Sequence, residues 1–159
     1  MKKINLYLLL LLPLLFFISC SEEEPDNVAL YTIWDGSKIT FEKADGADPT
    51  SSVNQDRLTD LYWITRGNSG GQIYNAAKET SADKRKSPLD TKWAIGTLEE
   101  IDQLFFDDFR SAVGEPKEVV GKNLVLWLKD HNAYLSVKFS SWSSGSGNKG
   151  GFAYERSTP

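Results

Sequence analysis

NLVLWLKDHNAYLSVKFSSW, residues 123–142, alternates twice. In its first half Leu124, Leu126 and Leu128 fall on one face. In its second half Leu135, Val137 and Phe139 fall on one face, with Tyr134, Ser136 and Lys138 on the other. Successive side chains of a strand point to opposite faces, so a period of two marks a strand with one face buried. His131-Asn132 between the halves suits a turn, since Asn tolerates left-handed backbone. The stretch therefore predicts two antiparallel strands.

Working outward, the same signature recurs. VALYTIW (28–34) and SKITFEK (37–43) flank Asp35-Gly36, which predicts a hairpin, because Asp-Gly supplies the turn conformation that strand twist prefers. DLYWITR (60–66), QIYNAA (72–77), TKWAIG (91–96) and FAYERS (152–157) read as further short strands, with GNSGG (67–71) as a turn. Residues 44–59, 78–90 and 143–151 are polar and rich in turn formers, and read as loops. Between 98 and 113 the period changes. Leu98, Ile101, Phe105, Phe109 and Val113 recur at helical spacing, Thr97 and Glu100 form a capping box, and Gly114 and Pro116 end the run. The expected fold is mainly β, a β-sandwich-like pair of antiparallel sheets with one α-helix at about 98–113.

The beginning of the chain is of another kind. Lys2 and Lys3 precede an apolar run from Leu6 to Ile18. A basic start, a short apolar core and a small residue at its end describe a secretory signal peptide, and the run is short of the roughly 20 residues a membrane span needs. Phe17-Ile18-Ser19-Cys20 resembles a bacterial lipobox, which implies cleavage before Cys20 and acylation of that residue. Each buried methylene of an acyl chain contributes about 0.8 kcal/mol, and more than one chain anchors stably. Ser21-Glu22-Glu23-Glu24 resembles the acidic export signal of Bacteroidetes surface lipoproteins, and an anionic bilayer would repel it into a solvated tether. The expected organisation is a signal peptide at 1–19, a lipidated cysteine with its tether at 20–27 and a single domain at 28–159. The expected place is the outer membrane, lipid-anchored, at the cell surface.

Composition narrows the function. The formal charge is −4, and loss of Lys2 and Lys3 with the signal makes the remainder more acidic, which excludes nucleic acid as a partner. Cys20 is the sole cysteine and His131 the sole histidine, too few for a zinc site. Gly67-Asn68-Ser69-Gly70-Gly71 has the letters of G-x-S-x-G but reads as a turn between two strand-like runs rather than a strand-to-helix elbow, and no P-loop is present. Asp45, Asp48, Asn54, Asp56 and Asp60 crowd one segment and are the candidate ligands for calcium, without EF-hand spacing. Asp107-Asp108 are the carboxylates a glycoside hydrolase reading would use, but adjacent helical residues face apart.

The aromatics are the remaining handle. Trp34, Trp63, Trp93, Trp127 and Trp142 all lie in strand-like runs. A flat ring on an exposed face packs on the C–H face of a sugar while polar edges fix orientation. Trp63, Trp127 and Trp142 are the candidates, and Arg57 and Arg66 flank the strand of Trp63, either suited to clamp a carboxylate. Four segments carry a resemblance: Asn54–Gly67, Ser87–Thr97, Val125–Leu128 and Phe139–Thr158. Together they resemble an uncharacterised class of secreted bacterial β-rich domains, which implies export and a fold type, with no activity attached. Members of that class look as if they carry His where Trp127 stands and Asp where Ser136 stands, so the resemblance implies no metal or acid–base chemistry on this hairpin. The expectation is a non-catalytic domain that binds a ligand, such as a glycan, through loops 44–59 and 143–151 and an exposed aromatic. The alternative is a structural or adhesive protein with an envelope protein as partner, and a hydrolase ranks third.

Overall fold

The structure is a computed structural model and describes residues 31–145, 147 and 149–159. The expected signal peptide, Cys20 and the expected tether lie outside the described residues. Two sheets form a sandwich-like arrangement. The larger contains β1 (Thr32–Trp34), β2 (Ile39–Lys43), β6 (Thr91–Ile95), β7 (Asn123–Leu128), β8 (Ala133–Trp142) and β9 (Phe152–Arg156). Its order is β2-β9-β8-β7-β6, with β1 joined to the start of β8. The smaller contains β3 (Asp56–Thr59), β4 (Tyr62–Arg66) and β5 (Ile73–Asn75) in that order.

The β7–β8 hairpin is the centre of the large sheet, in register from Asn123↔Lys138 to Leu128↔Ala133. Asn132 takes the left-handed conformation in the turn. Leu124, Leu126, Leu128, Leu135, Val137 and Phe139 are all buried, and they pack with Tyr62, Ile64 and Ile73 of the small sheet in one core. The opposite face of the same hairpin carries Trp127 paired with Tyr134, their rings 5.6 Å apart and 5° from parallel. Phe106 meets both edge-on.

A buried latch ties the layers together. Asp56 of β3 accepts hydrogen bonds from Arg156 Nε at 2.6 Å, Arg156 Nη2 at 2.8 Å and Tyr154 Oη at 2.7 Å. The fork geometry of arginine and carboxylate makes this the strong, bidentate kind of pair.

Three elements differ from expectation. Asp35-Gly36 closes no hairpin: β1 runs parallel to β8 and β2 pairs with β9. The last residues of the chain fill the space between, with Gly36 N–H donating to Thr158 C=O at 2.9 Å and Ser157 Oγ donating to Trp34 C=O. A Cβ on residue 36 would stand 2.6 Å from the Pro159 carbonyl oxygen, so glycine serves close approach here. Residues 44–59 are not all loop, since a 3-10 turn at Ser52–Asn54 leads into β3. The helix shrinks as well. A 3-10 segment holds Leu98–Gln103, and α1 spans only Phe109–Val113. Between them Asp107 pairs its backbone with Trp93 on the edge of β6, at 2.8 and 2.9 Å, which a continuous helix would forbid. Phe109 and Val113 are buried as the periodicity requires, but Phe105 is 85% exposed.

Candidate functional site

Arg66 ends β4 and Trp142 ends β8, and the two meet at one end of the sandwich. The Arg66 guanidinium lies 4.0 Å over the Trp142 ring. The other neighbours of that ring are Phe109, stacked at 6.1 Å, and Phe139 and Phe152. Trp142 is therefore a support that fixes Arg66, and its faces are covered rather than offered to a sugar.

Arg66 is 2% exposed. Its Nε donates to Gly71 C=O at 2.9 Å, and its Nη1 donates to Ser143 C=O at 2.9 Å and Gly151 C=O at 3.1 Å. Burial pushes the guanidinium down to about 10, with Asp45 pulling the other way, so it stays charged at neutral pH. These bonds hold three chain segments together, the 67–71 turn and both ends of the 143–151 loop. Gly150 lies where those segments touch: its φ is +69° and a Cβ there would stand 2.1 Å from the Gly67 carbonyl oxygen. Lys43 is buried nearby, donating to Asn68 Oδ1 at 2.8 Å; burial lowers its pKa first and the charge of Arg66 second.

Beside Arg66 opens a recess of about 160 Å³ lined by Gly71, Arg110, Lys117, Trp142 and Ser144 among others. Arg110 comes from α1, and its Nε is buried without a hydrogen-bond partner among the described residues. Lys117 pairs with Glu115 at 2.8 Å at the exposed mouth. A larger cleft of about 330 Å³ lies elsewhere, lined by Lys38, Thr97, Asn123, Ser136, Lys138 and Glu155 among others, with Lys38 and Glu155 paired at 3.1 Å.

The remaining candidates are placed apart. Trp63 is half-buried under the Arg57 guanidinium at 4.0 Å. Trp127 is occupied by Tyr134 and Phe106, and its indole N–H donates to Asn132 Oδ1 at 3.1 Å. The calcium candidates do not converge. Asp56 is spent on Arg156, while Asp45 accepts from Gly151 N–H at 2.7 Å. Asp48 accepts from Thr50 N–H at 2.9 Å, Asn54 donates to the Asp48 carbonyl, and Asp60 is exposed. Among the described residues no three His, Cys, Asp or Glu side chains are placed to hold a metal ion. Asp107 and Asp108 both turn to Lys92, at 3.8 and 3.1 Å. Arg110 and Lys117 went unmarked in the sequence, because an arginine in a helical run and a lysine after a proline carry no pattern that singles them out. No protein-family model, curated protein or solved structure matches the chain.

Proposed function

We propose that the chain is a surface-anchored, non-catalytic lipoprotein domain that binds a glycan in the recess beside Arg66. The observation that supports this reading is the meeting of Arg66 and Trp142, from separate strands, at a recess framed by the 67–71 and 143–151 loops. Binding residues on loops carried by a rigid sheet scaffold are a common arrangement. The anchor follows from the order Phe17-Ile18-Ser19-Cys20 and the acidic Ser21–Glu24 behind it. No described helix is long and apolar enough to cross a membrane. Carboxylates engaged by a common lysine, as Asp107 and Asp108 are, suit a structural role better than acid–base work. The second reading, an envelope protein as partner, is favoured by Phe105, which stands 85% exposed on the surface.

A glycan array probed with residues 26–159, with calcium and with chelator, tests the first reading. Binding lost in Trp142→Ala but kept in Trp127→Ala supports it. No binding by folded protein refutes it and turns the search to protein partners. For the anchor, a clickable palmitate analogue labels the wild-type chain and fails to label Cys20→Ala; labelling that survives the substitution refutes the assignment.

A further inference from the structure

We infer that the recess between Arg66, Arg110 and Lys117 is an oxyanion site that takes the carboxylate of an acidic sugar, of the uronic acid type. The inference rests on the binding reading above and names the ligand class of that site.

The whole chain carries −4, yet the lining of this recess brings together three cations, Arg66, Arg110 and Lys117, against one carboxylate, Glu115. Glu115 is committed to Lys117 at the exposed mouth. Among the described residues no carboxylate lies within ion-pair distance of either arginine. A buried charge normally has a charged partner, because desolvation is costly. Among the described residues Arg66 hydrogen-bonds to backbone carbonyls alone, with the Trp142 ring against it and the Asp45 charge beyond ion-pair distance.

Donor bookkeeping points the same way. An arginine has five N–H donors. Those of Arg66 on Nε and Nη1 are taken by Gly71, Ser143 and Gly151, and Nη2 has no partner among the described residues. Arg110 makes no side-chain hydrogen bond among them, and its Nε is both buried and unsatisfied. Buried donors left unpaired are rare in folded proteins and call for an explanation. A bound oxyanion supplies one: it accepts from Arg66 Nη2 on one side and from Arg110 on the other.

Rigidity and size complete the case. The Trp142 ring and three carbonyl bonds fix the Arg66 plane before any ligand arrives, which lowers the ordering cost of binding. Planar guanidinium groups match a planar carboxylate bidentately. About 160 Å³ admits a carboxylate with the adjoining edge of one sugar ring and excludes a buried oligosaccharide.

The test uses the chain from residue 20 onward with Cys20→Ser, titrated calorimetrically with sodium glucuronate, sodium sulfate and methyl glucoside at low salt. Expected is saturable binding of glucuronate, weaker binding of sulfate and none of the neutral glucoside. Arg110→Gln weakens glucuronate binding about tenfold, the scale of one charge-assisted hydrogen bond. Its melting temperature stays within a few degrees of wild type, because among the described residues the Arg110 side chain makes no hydrogen bond or close ion pair and only its charge is felt by Glu115. Lys117→Gln weakens binding by a smaller factor. Glucuronate bound equally by wild type and Arg110→Gln overturns the inference. Sulfate bound more tightly than glucuronate overturns the carboxylate assignment in favour of sulfate esters. Neutral glycans bound on the array while no anion binds overturns the oxyanion site and leaves the binding module standing. Absence of binding by either class overturns both.

Discussion

Removing the carboxylate of Asp56 is the most instructive perturbation of the fold. Asp56 is 6% exposed and Arg156 is 6% exposed, so their pair is out of water. Three hydrogen bonds end on Asp56, two from Arg156 and one from Tyr154. In Asp56→Ala the guanidinium keeps, among the described residues, its bond from Nη1 to Ser157 C=O at 3.2 Å and loses its countercharge. Breaking a buried pair from one side costs about 3–5 kcal/mol, because the surviving charge stays buried. A domain of this size has a total stability of about 5–15 kcal/mol, and each kcal/mol lowers the melting temperature by roughly 3–5 °C. The expected loss is therefore roughly 10–25 °C in a thermal melt, matched by a fall in urea midpoint at unchanged m-value. Asp56→Leu combined with Arg156→Met removes both charges and recovers most of the loss. A fall below about 1 kcal/mol in the single variant, or no recovery in the double variant, refutes the latch as the tie between the sheets.

Three other outcomes follow from particular contacts. Gly150→Ala sets a Cβ against the Gly67 carbonyl at a left-handed backbone position, and costs about 1–3 kcal/mol in urea denaturation. The Tyr154 hydroxyl is raised well above its usual 10.0 by burial first and by the Asp56 charge next. The unfolded chain ionises it near pH 10, so its contribution is full below that pH and is lost as pH climbs toward the folded value; the urea-derived stability declines from pH 9 to 11, less steeply in Tyr154→Phe. Trp127→Ala loses the stacked pair with Tyr134, the edge contact with Phe106 and the bond to Asn132, costs about 3 kcal/mol in the same assay, and leaves glycan binding unchanged.

What could be read from the sequence was what repeats locally. The leucine alternation of 124–128 and the Leu135, Val137, Phe139 alternation placed β7 and β8, and those positions are buried in the core. β3 stayed hidden because its inward residue is an aspartate, made acceptable only by Arg156 far along the chain. The Asp35-Gly36 hairpin was a sound local inference that a distant segment displaced: Ser157 and Thr158 take the backbone partners that β2 would have offered. Leu98 and Ile101 sit at a spacing common to helical and 3-10 geometry, and the edge of β6 claims the backbone at Asp107. The site divides in the same way. Arg66 and Trp142 were visible as residue types suited to binding, but their contact is a product of β4 and β8 ending side by side. Among the described residues the acids of segment 45–60 do not gather into a cluster, and Asp45, Asp48 and Asp56 each accept a local or distant hydrogen bond of their own.

The account stands or falls on whether the Arg66 recess receives an anionic sugar. The direct measurement is a nitrogen-detected NMR titration of the arginine and tryptophan side chains with glucuronate. The account predicts saturable shifts at the Nε–H of Arg66 and Arg110 and at the indole of Trp142, with the Trp127 indole unmoved. Shifts confined to Trp127, or none at any saturating concentration, would contradict it.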